Sequence, residues 1–111
     1  LLEPQKLSMG EDKPWTKRRA HKWHNSGVVG FIDKPTILGQ WMTATKKNVD
    51  QIGDQEVLDK ILSPITKISK ISDLPNEYNV LRLQLTDGYT GKIRIMHWTG
   101  QKGKEVIRGM L

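Results

Sequence analysis

The sequence predicts a small, β-rich α+β domain with one short helix. The chain has 111 residues, a length that suits a single hydrophobic core. Several short segments rich in Val, Ile, Leu, Thr and aromatic residues are bounded by Gly, Pro, Asn or Asp, as strands commonly are. One segment in the middle of the chain instead places its apolar residues on a single helical face.

An extended basic arm is predicted over residues 1–24, ahead of a folded domain over residues 25–111. The stretch from Leu1 to Pro14 is polar, contains two prolines and has no hydrophobic periodicity. The second half is the most concentrated cationic and aromatic stretch of the chain, because Trp15 and Trp23 flank a run of Lys and Arg. Either a partner or the surface of the domain is expected to cover these two tryptophans.

Four elements are predicted in the middle of the chain. Val28–Ile32 and Thr36–Thr45 are read as two short strands joined by a turn, with Trp41 in the core. Asp54–Leu62 is the helix, since it has an Asp at its N-cap, one apolar face and a Pro after its end. Ile65–Ile71 is predicted as a strand on its β-branched content, although its apolar residues recur every three positions.

A β-hairpin over residues 78–98 is the strongest structural signal. Tyr78–Thr86 and Thr90–Trp98 both alternate apolar and polar residues, and the Asp-Gly pair between them is a frequent turn sequence. A two-residue loop would set Leu83 opposite Lys92 on the same face. A three-residue loop with a bulge avoids this mismatch and gathers the aliphatic side chains on one face.

The same register aligns Arg82 with Arg94 on the other face of the hairpin. Like charges directly opposite each other on a sheet are unfavourable by up to about 1 kcal/mol. An anion held between the two guanidinium groups is the expected reason for the pair, and the alternative is that both side chains splay into water. A last strand is predicted over Glu105–Leu111.

The positive charge is concentrated at the two ends of the chain. Lys and Arg number 18 against 12 Asp and Glu, which gives a formal charge of +6. Residues 1–24 carry +3 and residues 91–111 carry +4, whereas the residues between them carry −1. Clustered cations favour a polyanionic partner, although a solvated basic surface explains them equally well.

Three segments resemble parts of OB-fold proteins. Residues 85–98, Leu-Thr-Asp-Gly-Tyr-Thr-Gly-Lys-Ile-Arg-Ile-Met-His-Trp, resemble the central hairpin of OB-fold single-stranded nucleic-acid-binding proteins, especially the replication protein A type. Residues 103–111 look like the next strand of such folds. Residues 25–35, Asn-Ser-Gly-Val-Val-Gly-Phe-Ile-Asp-Lys-Pro, are similar to the opening strand of bacterial and organellar single-stranded DNA-binding proteins.

This resemblance implies an OB-fold-type small barrel or partial barrel that binds single strands. The chain departs from the family pattern in two ways. A long excursion separates the predicted strand at Val28 from the one at Tyr78, so that either a helix-bearing segment is inserted there or Ile65–Ile71 is the first barrel strand. The last barrel strand is missing, so closure would need further residues or a partner.

No catalytic constellation is recognisable, and we expect a protein that is not an enzyme and holds neither cofactor nor metal. The chain has no Cys, which excludes disulfides and thiolate chemistry. The serines lie in no nucleophile-elbow sequence, and no phosphate-binding Gly-rich motif occurs. His21 and His24 lie three residues apart without a third ligand nearby, so they are interpreted as polar residues of the arm.

The expected location is an intracellular compartment that contains nucleic acid, either the nucleus or an organelle such as a mitochondrion or plastid. No apolar run has the length of a membrane span, and no secretory leader is recognisable, so no membrane partner is expected.

The expected function is binding of single-stranded DNA or RNA by neutralisation of phosphates and stacking of bases. The alternative is an OB-like interaction subunit of a ribonucleoprotein or replication assembly, with other subunits or a second copy as partners. The expected nucleic-acid contacts are the cations and aromatic residues of the two basic segments and the hairpin, namely Lys17, Arg18, Arg19, Lys22, Trp23, Arg82, Tyr89, Lys92, Arg94, Trp98, Lys102 and Lys104.

Overall fold

A computed structural model describes residues 2–110 and shows an α+β fold built on a three-stranded mixed sheet. Strand β1 (Leu7–Glu11) lies at the centre of this sheet. It pairs antiparallel with β2 (His24–Gly30), with an irregularity between Met9 and Glu11, and parallel with β3 (Ile71–Leu74).

Six helices accompany the strands within residues 2–110. The first, α1, connects β1 to β2, and three more, α2 to α4, connect β2 to β3. Their bounds are α1 Lys13–Arg19, α2 Thr36–Lys47, α3 Asp54–Ile61, α4 Pro64–Lys70, α5 Arg82–Thr86 and α6 Gly100–Met110. A 3₁₀ turn (Asn76–Tyr78) precedes a second, two-stranded parallel sheet of β4 (Val80–Leu81) and β5 (Met96–His97).

The hydrophobic core lies between the central strand and the helices α2 and α3. Each fully buried large aliphatic side chain contributes about 1.5 to 3 kcal/mol by leaving water, so this cluster is the main stabilising element of the fold. Trp41 also donates a hydrogen bond from Nε1 to the backbone oxygen of Asp54 over 2.9 Å, which ties α2 to the start of α3. The buried cluster comprises Leu7, Met9, Ile37, Trp41, Val57, Leu58, Leu62 and Ile71.

The predicted α+β class and two of its elements agree with the structure. The helix expected over Asp54–Leu62 is α3, and its apolar residues Val57 and Leu58 are buried as their spacing indicates. The strand expected at Val28–Ile32 overlaps β2, which begins earlier, at His24. Trp41 is buried as expected, but on a helix.

The prediction of an extended basic arm over residues 1–24 is wrong, because the described part of this segment is folded. This segment supplies the central strand β1 and the helix α1. The Asp12 side chain accepts a hydrogen bond from Trp15 N and caps α1, and Pro14 stands in the first turn, where its missing N–H costs nothing. The backbone then returns, because Asp12 N donates to Trp23 O over 2.8 Å.

Three segments that were expected to be strands are helical. Thr36–Thr45 lies in α2, where Ile37 and Trp41, four residues apart, share the buried face. Ile65–Ile71 lies mostly in α4, which begins with a capping box at Ser63 and a Pro in its first turn. The described part of Glu105–Leu111 belongs to α6.

The predicted hairpin over residues 78–98 is also wrong. The first half changes from β4 to α5 at Arg82, and β4 pairs with β5 in a parallel arrangement rather than an antiparallel one. Gln84 explains the change, since its Oε1 accepts from Leu81 N over 2.9 Å and its amide exchanges hydrogen bonds with Asn76. A side chain thereby takes the backbone donor that a strand ladder would have used.

No closed barrel and no β-rich architecture is present in residues 2–110, whose strands form only the two small sheets. No helix within the described range combines the length and the apolar character that crossing a bilayer requires.

Candidate functional site

The two basic ends of the chain meet at one cleft. Its volume is about 410 Å³. The residues that line it include Pro14 and Trp15 of α1, Trp98 of the turn before α6 and Lys104 of α6, and α3 contributes Glu56. Residues that are far apart in the sequence therefore line one cleft, which contains two tryptophans and one lysine.

The close approach of α6 to Trp98 depends on a glycine in its first turn. A Cβ atom at Gly103 would lie 2.3 Å from the backbone carbonyl carbon of Trp98, which is far inside van der Waals contact. Gly103 N also donates to Thr99 O over 3.2 Å. The missing side chain at this position lets the turn hold Trp98 and Lys104 against the cleft.

The floor of the cleft includes a buried polar network centred on Asp12. The Asp12 side chain is only 3% exposed. Its Oδ2 accepts hydrogen bonds from Asn25 Nδ2 and from Gln55 Nε2, both over 2.9 Å, and its Oδ1 accepts from Trp15 N over 3.1 Å. Burial of a carboxylate without hydrogen-bond donors costs free energy, and these three donors offset that cost.

Asn25 connects this carboxylate to His97. Its Oδ1 accepts from Gly27 N over 2.8 Å, from Asn79 Nδ2 over 2.9 Å and from His97 Nδ1 over 3.2 Å. Gly27 makes room for the ring, since a Cβ there would lie 2.3 Å from both Cε1 and Nδ1 of His97. His97 is thereby held in one orientation at the edge of the cleft that it lines.

A second groove adjoins the cleft at Pro14, which lines both. It has a volume of about 300 Å³ and includes Lys13 and Lys17 of α1 and the ring of Tyr89. No carboxylate of residues 2–110 forms an ion pair with either lysine. Two lysines without an ion pair and a tyrosine therefore stand beside the cleft, in a groove that Asp87, the partner of Arg18, also lines.

The other predicted contacts of the N-terminal segment are engaged within the protein. Arg18 lies 3.8 Å from the Asp87 carboxylate, and Arg19 stacks over the Trp15 ring at 4.3 Å. Trp23 is only 9% exposed and packs against Trp15 and His21, so its faces are covered by protein.

The cations of the segment that was predicted to be a hairpin do not form the expected opposed pair. Arg82 donates from Nε to Thr99 O over 3.0 Å, and Arg94 pairs with Glu77 and lies over the Tyr78 ring. The Tyr89 hydroxyl donates to the backbone oxygen of Lys92, an exposed residue. Lys102 is exposed on α6, in the same turn as the cleft residue Lys104.

A further cavity of about 380 Å³ lies between the α1–β2 turn and α4. Asp73 at its edge accepts hydrogen bonds from Lys22 Nζ over 2.5 Å and from His24 Nε2 over 2.6 Å. Partial burial acts to raise the pKa of Asp73, but these hydrogen bonds and positive charges outweigh it and hold the pKa below its ordinary value of 3.8. Lys67 forms an ion pair with Asp59 nearby, and His21 Nε2 lies 3.2 Å from the same carboxylate, so the two lysines of this cavity are each paired with an aspartate.

Sequence reasoning missed the residues that form the floor of the cleft. Asp12, Asn25, Gln55 and His97 are widely separated in the chain, and no spacing rule relates them. The only local signal was Asp12, since an Asp two residues before a Pro marks a helix start.

No protein-family model, curated protein or solved structure matches the chain.

Proposed function

We propose that this protein binds single-stranded nucleic acid, without catalysis, at the cleft between α1 and α6. One observation carries the proposal: the two basic segments of the sequence converge on a cleft lined by Trp15, Trp98 and Lys104. Aromatic faces next to unpaired cations are the combination by which proteins hold single strands, because bases stack while phosphates are neutralised.

From the distribution of charge, we expect the base and the phosphates of the strand to bind at different positions. The lining of the cleft contains Asp12 and Glu56 against the single cation Lys104. This balance repels a phosphate from the interior. Lys13 and Lys17 beside the cleft have no ion pair with any of residues 2–110, so the backbone of the strand follows this rim and a base enters the cleft.

The partly exposed Trp98 is the main stacking surface in this arrangement, because Trp15, which is 36% exposed, already carries Arg19 over its ring and packs against Trp23. Tyr89, also partly exposed, adds a third ring on the side of the adjoining groove. Stacking contributes about 1 to 3 kcal/mol per base. Trp98→Ala is accordingly expected to weaken binding about five- to 150-fold.

The experiment is a fluorescence-anisotropy titration of labelled single-stranded and duplex DNA and RNA at several salt concentrations. Single strands are expected to bind more tightly than duplexes, with the logarithm of affinity falling linearly with the logarithm of salt concentration. Equal binding of duplex and single strand would show that charge alone acts and that the cleft takes no base.

Matched charge variants locate the interface. The double variant Lys13→Gln with Lys17→Gln is expected to make the salt slope shallower by about 0.7 for each phosphate that the protein no longer neutralises. Lys46→Gln with Lys47→Gln removes the same charge from the end of α2, whose residues do not line the cleft, and should leave the slope unchanged. Equal effects of both variants would contradict the proposed location.

A second function, an interaction subunit in a larger assembly, is favoured by one feature of α4. Ile65 and Ile68 are 81% and 77% exposed, which is unusual for two isoleucines on one short helix. In that case every oligonucleotide would bind weakly in the titration. The double variant Ile65→Ser with Ile68→Ser would then abolish self-association or subunit capture without altering the melting temperature.

A further inference from the structure

We infer that the cleft selects nucleobases that carry an exocyclic amino group, and that His97 is the residue that reads this group. The inference rests on the proposed function, since it names which bases the same cleft accepts. It follows from the direction of each hydrogen bond in the network beneath the cleft.

The hydrogen bonds of Asn25 fix the orientation of its amide. Gly27 N is a backbone donor, so the atom that it meets at 2.8 Å must be the amide oxygen of Asn25. The amide nitrogen is then the atom that donates to the Asp12 carboxylate over 2.9 Å. Both ends of the Asn25 side chain agree, and the amide cannot be reversed without breaking both bonds.

The fixed amide in turn determines the tautomer of His97. Its Nδ1 faces the oxygen of Asn25 at 3.2 Å, so Nδ1 must carry the hydrogen when the ring is neutral. The other nitrogen, Nε2, then has a free lone pair. No group within residues 2–110 hydrogen-bonds to Nε2, and His97 lines the cleft, so this acceptor is left for a ligand.

A second free acceptor lies in the same lining. The side chain of Glu56 is exposed and lines the cleft, and its carboxylate makes no hydrogen bond or ion pair with the described residues. Asp12 is already occupied by three donors. His97 Nε2 and the Glu56 carboxylate are therefore two acceptors left for N–H donors of a base, and they stand in a lining whose own side-chain donors include Lys104 and the indole N–H groups of Trp15 and Trp98.

Base edges differ in how they meet such a lining. Cytosine presents an amino group where thymine and uracil present a carbonyl oxygen. The cytosine amino group offers two N–H donors to these acceptors, whereas thymine offers the single N3–H donor and sets its O4 against a lone pair or a carboxylate. Cytosine and thymine are both single-ring pyrimidines, so a difference in their binding reports this edge rather than the stacking area.

The test compares oligo-dC with oligo-dT, each about 12 nucleotides long, at about pH 8. Oligo-dC is expected to bind about five- to tenfold more tightly, the range for one additional hydrogen bond to a site with a free acceptor. An oligomer with 2-pyrimidinone in place of cytosine lacks only the amino group and should lose this advantage. Equal affinity for all three, or a preference for oligo-dT, would overturn the inference while leaving the proposed function intact.

Two variants assign the preference to the cleft. His97→Phe keeps an aromatic ring but has no acceptor, and Glu56→Gln replaces one acceptor oxygen with a donor; both should bring the ratio of the two affinities toward one. Glu3→Gln, at an exposed glutamate that does not line the cleft, should keep the ratio. If His97→Phe unfolds, Glu56→Gln still decides whether the preference arises in the cleft, because Glu56 is exposed and has no partner within residues 2–110. A wild-type protein that binds none of the oligomers would refute the proposed function itself.

Discussion

The Asp12 carboxylate and the Asn25 amide meet over 2.9 Å, and both residues are almost completely buried. Asp12 follows the central strand and caps α1, and Asn25 lies near the start of β2. This hydrogen bond therefore joins the two ends of the connection through α1, and it agrees with the orientation of the Asn25 amide whose oxygen faces His97 Nδ1.

Asp12→Ala should be strongly destabilising. The substitution removes the N-cap of α1, worth about 1 kcal/mol. It also leaves the buried donors of Asn25 and Gln55 without an acceptor, at about 1 to 3 kcal/mol each. We expect the free energy of unfolding in urea to fall by about 3 kcal/mol. Asp50→Ala, at an exposed residue paired only with Lys60, should change it by no more than about 0.5 kcal/mol.

Gly27→Ala should displace the His97 ring. The new Cβ would lie 2.3 Å from two ring atoms and 2.8 Å from Asn25 Oδ1, so the ring must leave its hydrogen bond. We expect a decrease of about 1 to 3 kcal/mol in stability and a changed chemical shift of the His97 ring protons.

Gly39→Ala is the matched control for Gly27→Ala. Gly39 lies inside α2 with no atom within 4 Å of its added Cβ. This change should stabilise the protein by about 0.5 to 1 kcal/mol, because Ala favours the helix. An unshifted His97 resonance in Gly27→Ala would contradict the packing described for that ring.

Local signals predicted the parts of the fold that local interactions determine. The helix α3 has an acidic first turn and buries Val57 and Leu58 on one face, and both features are visible in a short stretch of sequence. The helix α2 was mistaken for a strand because Thr residues and Gly39 lower helix propensity. Burial of Ile37 and Trp41 against the central strand outweighs that preference, and no local pattern reports such packing.

The hairpin prediction failed because an alternation of apolar and polar residues does not by itself make a segment a strand. Leu81 is buried, whereas Ile93 and Ile95 are 45% and 40% exposed, so the proposed aliphatic face does not exist as one buried surface. The cleft was only partly foreseen. The clustering of positive charge drew attention to both ends of the chain as places where a polyanion would bind. Contacts such as the one between Asn25 and His97 depend on the complete fold, so no local pattern predicts them.

Arg82→Glu should destabilise the protein, the opposite of what an opposed Arg82 and Arg94 pair would give. Arg82 bonds to the backbone oxygen of Thr99 and holds the turn before α6. Loss of this bond, with a carboxylate left facing a carbonyl, should cost about 1 to 2 kcal/mol in urea unfolding. Lys92→Glu, at an exposed residue whose side chain bonds to no described group, should be nearly neutral. A higher free energy of unfolding for Arg82→Glu would contradict this account and would support the predicted hairpin instead.

Asp73→Asn should remove a stabilising contribution that depends on pH. The pKa of Asp73 is lowered in the folded protein, because Lys22 and His24 favour its charged form despite partial burial. A group whose folded pKa lies below its unfolded value stabilises the protein above the unfolded pKa and loses that effect as the pH falls through the folded pKa. The difference in unfolding free energy between wild type and Asp73→Asn should thus be largest near neutral pH and shrink below about pH 4.

Urea titrations of both proteins at a series of pH values measure this difference directly. Asp73 is half exposed, so solvent screens the pair and the neutral-pH difference should be modest. Asp50→Asn, which removes an exposed partner of Lys60, supplies the control and should track the wild type throughout. A difference for Asp73→Asn that stays constant through the acid range would contradict this prediction, because it would show that the carboxylate charge does not account for the effect.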